Sequence, residues 1–217
     1  MIASTLSATD LFVVVSPVLS TWSVYDPAIR TELTSSAFLT AEGWWLVDPT
    51  PIQDKTLEQL IGNNPVLGIL LTNENHARAA DGLRRRLHRQ IHAHEAASPR
   101  LEIEGDYFFR DGNRLSGGLE IIHVPGATLG ESCFYHAPNR VMLQGDSLIN
   151  LKETGFTFLP EKYRMDSTLM KKSLPRLLDY NFETLTFAHG PPIVDGAMGR
   201  LETLLGVLAG FLGQLLL

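Results

Sequence analysis

The stretch from Val66 to Gly82 constrains the fold more than any other. Val66-Leu67-Gly68-Ile69-Leu70-Leu71 is an unbroken apolar run of strand length, and it stops abruptly at Thr72-Asn73-Glu74-Asn75-His76-Ala77-Arg78 before a helix-like pattern begins. A short run without polar alternation reads as a strand buried on both faces, as in a parallel sheet. A buried strand feeding a polar loop and then a helix belongs to a βαβ unit. The carboxyl edge of such a strand is where sites are assembled.

The flanking sequence extends this pattern. Strands are expected near 11–16, 21–25, 35–40 and 44–48, the last two turning at Glu42-Gly43. Leu57, Leu60 and Ile61 share one helical face over 53–61, and Gly62-Asn63-Asn64-Pro65 closes that helix. After strand 66–71 come a helix from about 76 to 87 and a short strand over 90–94. The pattern then returns to strands at Leu101–Ile103, Tyr107–Arg110, Leu119–Val124, Ser132–His136 and Arg140–Leu143, with turn signals between them. Residues 147–166 read as irregular. Helix 167–179, strand 183–188 and a helix from about 195 complete the chain.

Four further segments, taken with the Thr72 loop, resemble the metallo-β-lactamase superfamily over roughly residues 35–205. The Leu71–Gly82 stretch is similar to the strand, loop and helix of its first metal motif, His-x-His-x-Asp-His. On that pattern the histidine positions are Asn73, Asn75 and Arg78, and the aspartate position is Ala77. Val124-Pro125-Gly126-Ala127-Thr128-Leu129-Gly130 resembles the family's Pro-Gly-His-Thr-x-Gly, with Ala127 in place of the histidine. Gln144-Gly145-Asp146 and Ala188-His189-Gly190-Pro191-Pro192 resemble the segments carrying the bridging aspartate and the last histidine, both intact. Trp45-Leu46-Val47-Asp48-Pro49 resembles the strand that ends in an acid near the site. The resemblance implies a single αββα domain over 1–217, two mixed sheets face to face with helices outside and a site along one edge.

In the family, histidines and carboxylates hold zinc or iron, which needs at least three good ligands per ion. Here five of the seven positions lack such a ligand. Asn73 and Asn75 offer only neutral amide oxygens, and Ala77 and Ala127 offer nothing. Arg78 would repel a cation, and the resemblance implies instead a forked pair between its guanidinium and Asp146. His76 falls between two ligand positions, in a register whose side chain points away from the metals. His189 and Asp146 remain as candidate acid/base groups. His92, His94 and Glu95 look like a chelating cluster but read as alternating residues of a strand. His88, His123 and His136 show no partner pattern.

The remaining features exclude functions more than they assign them. Eighteen Lys and Arg against 24 Asp and Glu give a net charge of −6, which disfavours nucleic acid as a partner. The lone Cys133 sits in an apolar run and reads as a small core residue. No secretory signal stands out, so a cytoplasmic protein is expected. The apolar C-terminal stretch Leu204–Leu217 would reach only about 21 Å as a helix, short of the ~30 Å hydrocarbon core. It is expected to pack on the domain or to form a homodimer.

Two functions follow. The favoured one is a non-catalytic or weakly active binder of a small molecule or partner, with no metal cofactor. The alternative is a metal-dependent hydrolase using zinc, iron or manganese at a rewired mononuclear site of His76, Asp146 and His189.

Overall fold

A computed structural model describes residues 6–214, with side chains described as far as residue 206. Seven strands lie in sequence order in the first sheet: β1 (Val13–Ser16), β2 (Leu19–Asp26), β3 (Thr31–Thr40), β4 (Gly43–Val47), β5 (Val66–Leu70), β6 (Ile91–His94) and β7 (Tyr107–Phe109). β1 to β4 form an antiparallel meander, and β4 to β7 are parallel. Helices α1 (Asp54–Ile61) and α2 (Ala80–Leu87) make the crossovers on either side of β5. The next strands are β8 (Arg114–Leu115), β9 (Leu119–His123), β10 (Ser132–His136) and β11 (Val141–Leu143). They are followed by a separate hairpin of β12 (Leu148–Leu151) and β13 (Gly155–Phe158), helix α3 (Ser167–Ser173), strand β14 (Thr184–Thr186) and helix α4 (Ala197–Gln214). The second sheet runs β14-β11-β10-β9-β8, antiparallel except for the parallel β11–β14 pair.

Side-chain alternation explains the layers. Along β4 and β5, Trp45, Val47 and Leu70 face the second sheet, while Leu46, Ile69 and the following Leu71 face α1 and α2. Along β9 to β11, Ile121, Phe134, Val141 and Leu143 face inward, and Ile122, Cys133, Tyr135 and Met142 turn toward α3 and α4. Each sheet therefore presents two apolar faces, and the chain is an αββα sandwich. Phe38, Phe109 and Phe134 are fully buried between the sheets. Truncating any one to Ala would cost roughly 3–5 kcal/mol.

Four segments differ from the sequence expectation. Helix α2 begins at Ala80 rather than near 76, because residues 72–79 are held by side-chain contacts of the site described below. Leu101–Ile103 is not a strand; a 3₁₀ helix, Glu95–Arg100, fills the connection, and Ile103 packs against the outer core of the first sheet. The stretch read as irregular contains the β12–β13 hairpin. The expected helix 167–179 changes from α to 3₁₀ at Leu174, where Pro175 supplies no amide hydrogen. Side chains 207–214 and residues 215–217, on which the expected dimer contact rests, lie outside the described residues. No described helix is long and apolar enough to cross a membrane.

Candidate metal centre

Four parallel strands end at one edge of the sandwich, two from each sheet: β4 and β5, β11 and β14. Each hands a polar residue to the loops there. Asp48 follows β4 directly in a left-handed conformation (φ 48°), a region in which Asp is enriched among non-glycine residues. Its carboxylate accepts from Thr72 N at 2.8 Å, Thr72 Oγ1 at 2.6 Å and His76 Nδ1 at 2.9 Å. Asp146 follows β11, and His189 follows β14.

His76 Nε2 lies 3.1 Å and His189 Nε2 lies 3.2 Å from the same oxygen, Asp146 Oδ1. One ligand atom of each of these three residues lies within 4.8 Å of the others. The tautomers follow from the partners. His189 Nδ1 faces the carbonyl of Glu32 at 3.0 Å, which can only accept. His76 Nδ1 sits between Asp48 and Thr72 Oγ1, whose hydroxyl already donates to Asp48. Both Nδ1 atoms are therefore donors, and in the neutral imidazoles both Nε2 lone pairs are directed to the side of Asp146. Neither Nε2 is aligned for a hydrogen bond, so Oδ1 is a buried oxygen with no good donor. With both imidazoles neutral, the two nitrogens and Oδ1 form a ligand set for a cation. Ligand atoms around a tetrahedral zinc lie ~3.3–3.5 Å apart for bonds of ~2.0–2.1 Å.

Without an ion the charges place a proton between His76 and Asp146, which a cation would displace on binding. Burial opposes charging His76, but Asp146 and Asp48 outweigh burial and the repulsion from Arg78, raising it to about 9. Burial pushes Asp146 up, yet His76 and His189 hold it well below the usual carboxylate range. Behind it, Glu131 is fully buried. Its Oε1 accepts from the amides of Asp146 (2.7 Å) and Ser147 (2.9 Å), and its Oε2 accepts from Thr128 Oγ1 (2.7 Å) and Asn73 Nδ2 (2.9 Å). Burial and the charge of Asp146 push Glu131 up to about 7.

The expected site residues separate into two groups. Asn75, His76, Arg78, Asp146 and His189 line a cleft of about 1030 Å³. Asn73 and Ala127 are buried and do not: Asn73 bridges Glu131 and Asp146 Oδ2 (3.2 Å), and Ala127 packs in the outer core of the second sheet. His76 was expected to point away from the centre and instead points into it, because Asp48 and Thr72 clamp its Nδ1. The expected Arg78–Asp146 pair is absent among the described residues. Arg78 donates to the carbonyls of Thr34 (2.9 Å), Asp48 (3.1 Å) and Ala188 (3.3 Å) instead. Glu131 was not anticipated. Its one signal is an acid placed two residues before the apolar run Cys133-Phe134-Tyr135.

The model of the metallo-beta-lactamase superfamily matches residues 13–208. The chain belongs to that superfamily. Its fold is similar to that of the DIM-1 metallo-beta-lactamase, with a TM-score of 0.73 at 15% identity over 94% of this chain and 99% of that one. It is also similar to a metallo-beta-lactamase family protein from Thermus thermophilus, with a TM-score of 0.66 at 22% identity over 93% and 83%. TTHA1623, solved in a di-iron-bound form, gives a TM-score of 0.58 at 22% identity over 88% and 98%. At these identities the superfamily structures speak for the fold alone. No curated protein matches the sequence significantly.

Proposed function

We propose that this superfamily member is a metal-dependent hydrolase working with one ion held by His76 Nε2, Asp146 Oδ1 and His189 Nε2. The observation that carries the reading is the buried Asp146 Oδ1, faced by two imidazole nitrogens whose other ring nitrogens are committed as donors. When bound, such an ion lowers the pKa of water and polarises an acyl or phosphoryl oxygen. The chain's own residues do the rest. Asp48 fixes the orientation of His76 from behind, as carboxylates commonly do for metal-ligating histidines. Glu131 holds the Asp146 and Ser147 amides and so sets the carboxylate in place. Leu33, Ile149 and Leu159 in the cleft wall limit water around the reacting group.

A second reading, a pocket that binds without turnover, is favoured by the side chains at the family's ligand positions. Ala77 and Ala127 have no donor atom, and the Asn73 amide is used up inside the protein. Elemental analysis after exposure to zinc, iron or manganese separates the two. The hydrolase reading expects close to one equivalent, lost in Asp146→Ala and His189→Ala together with hydrolysis of ester, thioester or phosphodiester probes. Protein that holds no ion and turns over none of these probes would leave the binder as the reading.

A further inference from the structure

Arg78 is a charged group of the cleft that the proposed metal centre leaves unused. Its three carbonyl partners come from β3, from the end of β4 and from the loop after β14, so the guanidinium is tied to both sheets. A guanidinium has five N–H donors. Nη1 uses both of its hydrogens and Nη2 uses one, which leaves Nε–H and one hydrogen on Nη2. None of its hydrogen-bond partners is a carboxylate, although the buried Asp48 and Asp146 carboxylates lie near enough to act on its charge. The backbone at Arg78 sits at φ 37°, a conformation that tertiary contacts must hold. The side chain lines the cleft beside His76, Asp146 and His189. The lining also carries Arg30 and Lys162, with Asp26, Glu102 and Asp146 as its carboxylates. Arg78 is therefore a cation of this cleft that three carbonyls hold in place and that has two hydrogens left to donate.

We propose that Arg78 forms an oxoanion subsite, in which Nε–H and the remaining Nη2–H hold two oxygens of a carboxylate or phosphoryl group next to the His76, Asp146 and His189 cluster. Two donors on neighbouring guanidinium nitrogens match the spacing of two oxygens on one such group. The three carbonyls hold the donors in place before the ligand arrives, so little rotamer freedom is lost on binding. The subsite narrows the substrate class to molecules carrying an oxoanion near the scissile bond, a step that rests on the hydrolase reading. The anion site itself does not.

The test is calorimetric titration of chelator-treated, metal-free protein with inorganic phosphate, comparing wild type with Arg78→Lys. A lysine ammonium has three donors, enough for the three carbonyls and none for the cleft. Wild type is expected to bind phosphate and Arg78→Lys to bind it at least tenfold more weakly, with a thermal midpoint close to wild type. Absence of phosphate binding by wild type, or affinity in the variant within twofold of wild type, would overturn the subsite. Should Arg78→Lys not fold, the Arg78 Nε–H resonance in the wild-type protein decides. It shifts on phosphate addition if the subsite exists and stays put if it does not. Failure to bind a metal ion would remove the hydrolase reading while leaving the phosphate result standing.

Discussion

Two histidine clusters sit among the described residues, and of these only one is built like a metal centre. At the strand-end edge, His76 and His189 each donate through Nδ1 to an oxygen acceptor and turn Nε2 toward one buried carboxylate. Elsewhere, His94 and His123 stack face to face at 3.9 Å, and His92 packs edge-on against Trp45 and tilted against Tyr107, with ring centres 5.1 Å apart in each case. Burial drives His92 and His94 down to about 4, and His123 is lowered as well. These rings act as aromatic packing. Proximity of histidines therefore says little; a carboxylate between them and an acceptor behind each ring make the difference.

The largest effect that would break this contrast comes from Asp146. On the proposed reading, Asp146→Ala should abolish metal binding and lower any hydrolysis by roughly 10³-fold or more, since it would remove the central ligand. His92→Phe should leave both unchanged. Retention of metal by the Asp146 variant, read by elemental analysis, would put the centre elsewhere.

Arg78→Ala comes next. It takes a donor from three carbonyls, of which Asp48 O keeps Ser35 Oγ and Ala188 O keeps Thr34 N. It also removes a cation near the buried Asp48 and Asp146 carboxylates, and the two losses together cost on the order of 3 kcal/mol. Denaturant unfolding measures it, and an unchanged midpoint would mean the guanidinium does not join the sheets.

Asp48→Asn sharpens the comparison at its acceptor side. The variant keeps the size of the side chain but weakens the hold on His76 Nδ1, so metal affinity should fall ~10–100-fold with the ion count at saturation unchanged. Competition with a chromophoric chelator reads this directly.

The smallest effect belongs to the packed cluster. A histidine whose folded pKa lies near 4 against 6.5 unfolded stabilises the fold above pH 6.5, and that contribution is lost as pH falls through 4. Glu131, raised to about 7 from 4.5, works in the opposite sense over part of that range. The wild-type curve is therefore mixed, and the difference from His92→Phe isolates the histidine. Between pH 7.5 and 4.5 the variant should lose less stability than wild type. Parallel curves would mean that His92 is hydrated rather than packed.

Legibility in the sequence followed the range of the forces. The apolar run 66–71 and the alternation along Cys133-Phe134-Tyr135 marked strands because burial on one or both faces is written locally. Leu101–Ile103 misled because Ile103 is partly buried in a loop rather than in a ladder, and residues 147–166 hid a hairpin whose strands are only four residues each. Asp146 and His189 stood out because their segments match the superfamily's. Glu131 did not, since its five donors come from residues 73, 128, 146 and 147 and no single window of sequence contains them.

The amino-acid sequence by itself determined most strands and the βαβ order, because strand burial and turn chemistry act over a few residues, and its motifs implied the αββα architecture through their resemblance to the superfamily. Only the tertiary structure decided the directions of His76 and Arg78. A register argument sent His76 outward and paired Arg78 with Asp146. In the folded chain, Asp48 arrives from 28 positions before His76 to clamp its Nδ1, and carbonyls 44, 30 and 110 positions away take the guanidinium. Side-chain direction in a loop is set by whichever acceptors the fold brings near, and those partners are distant in sequence.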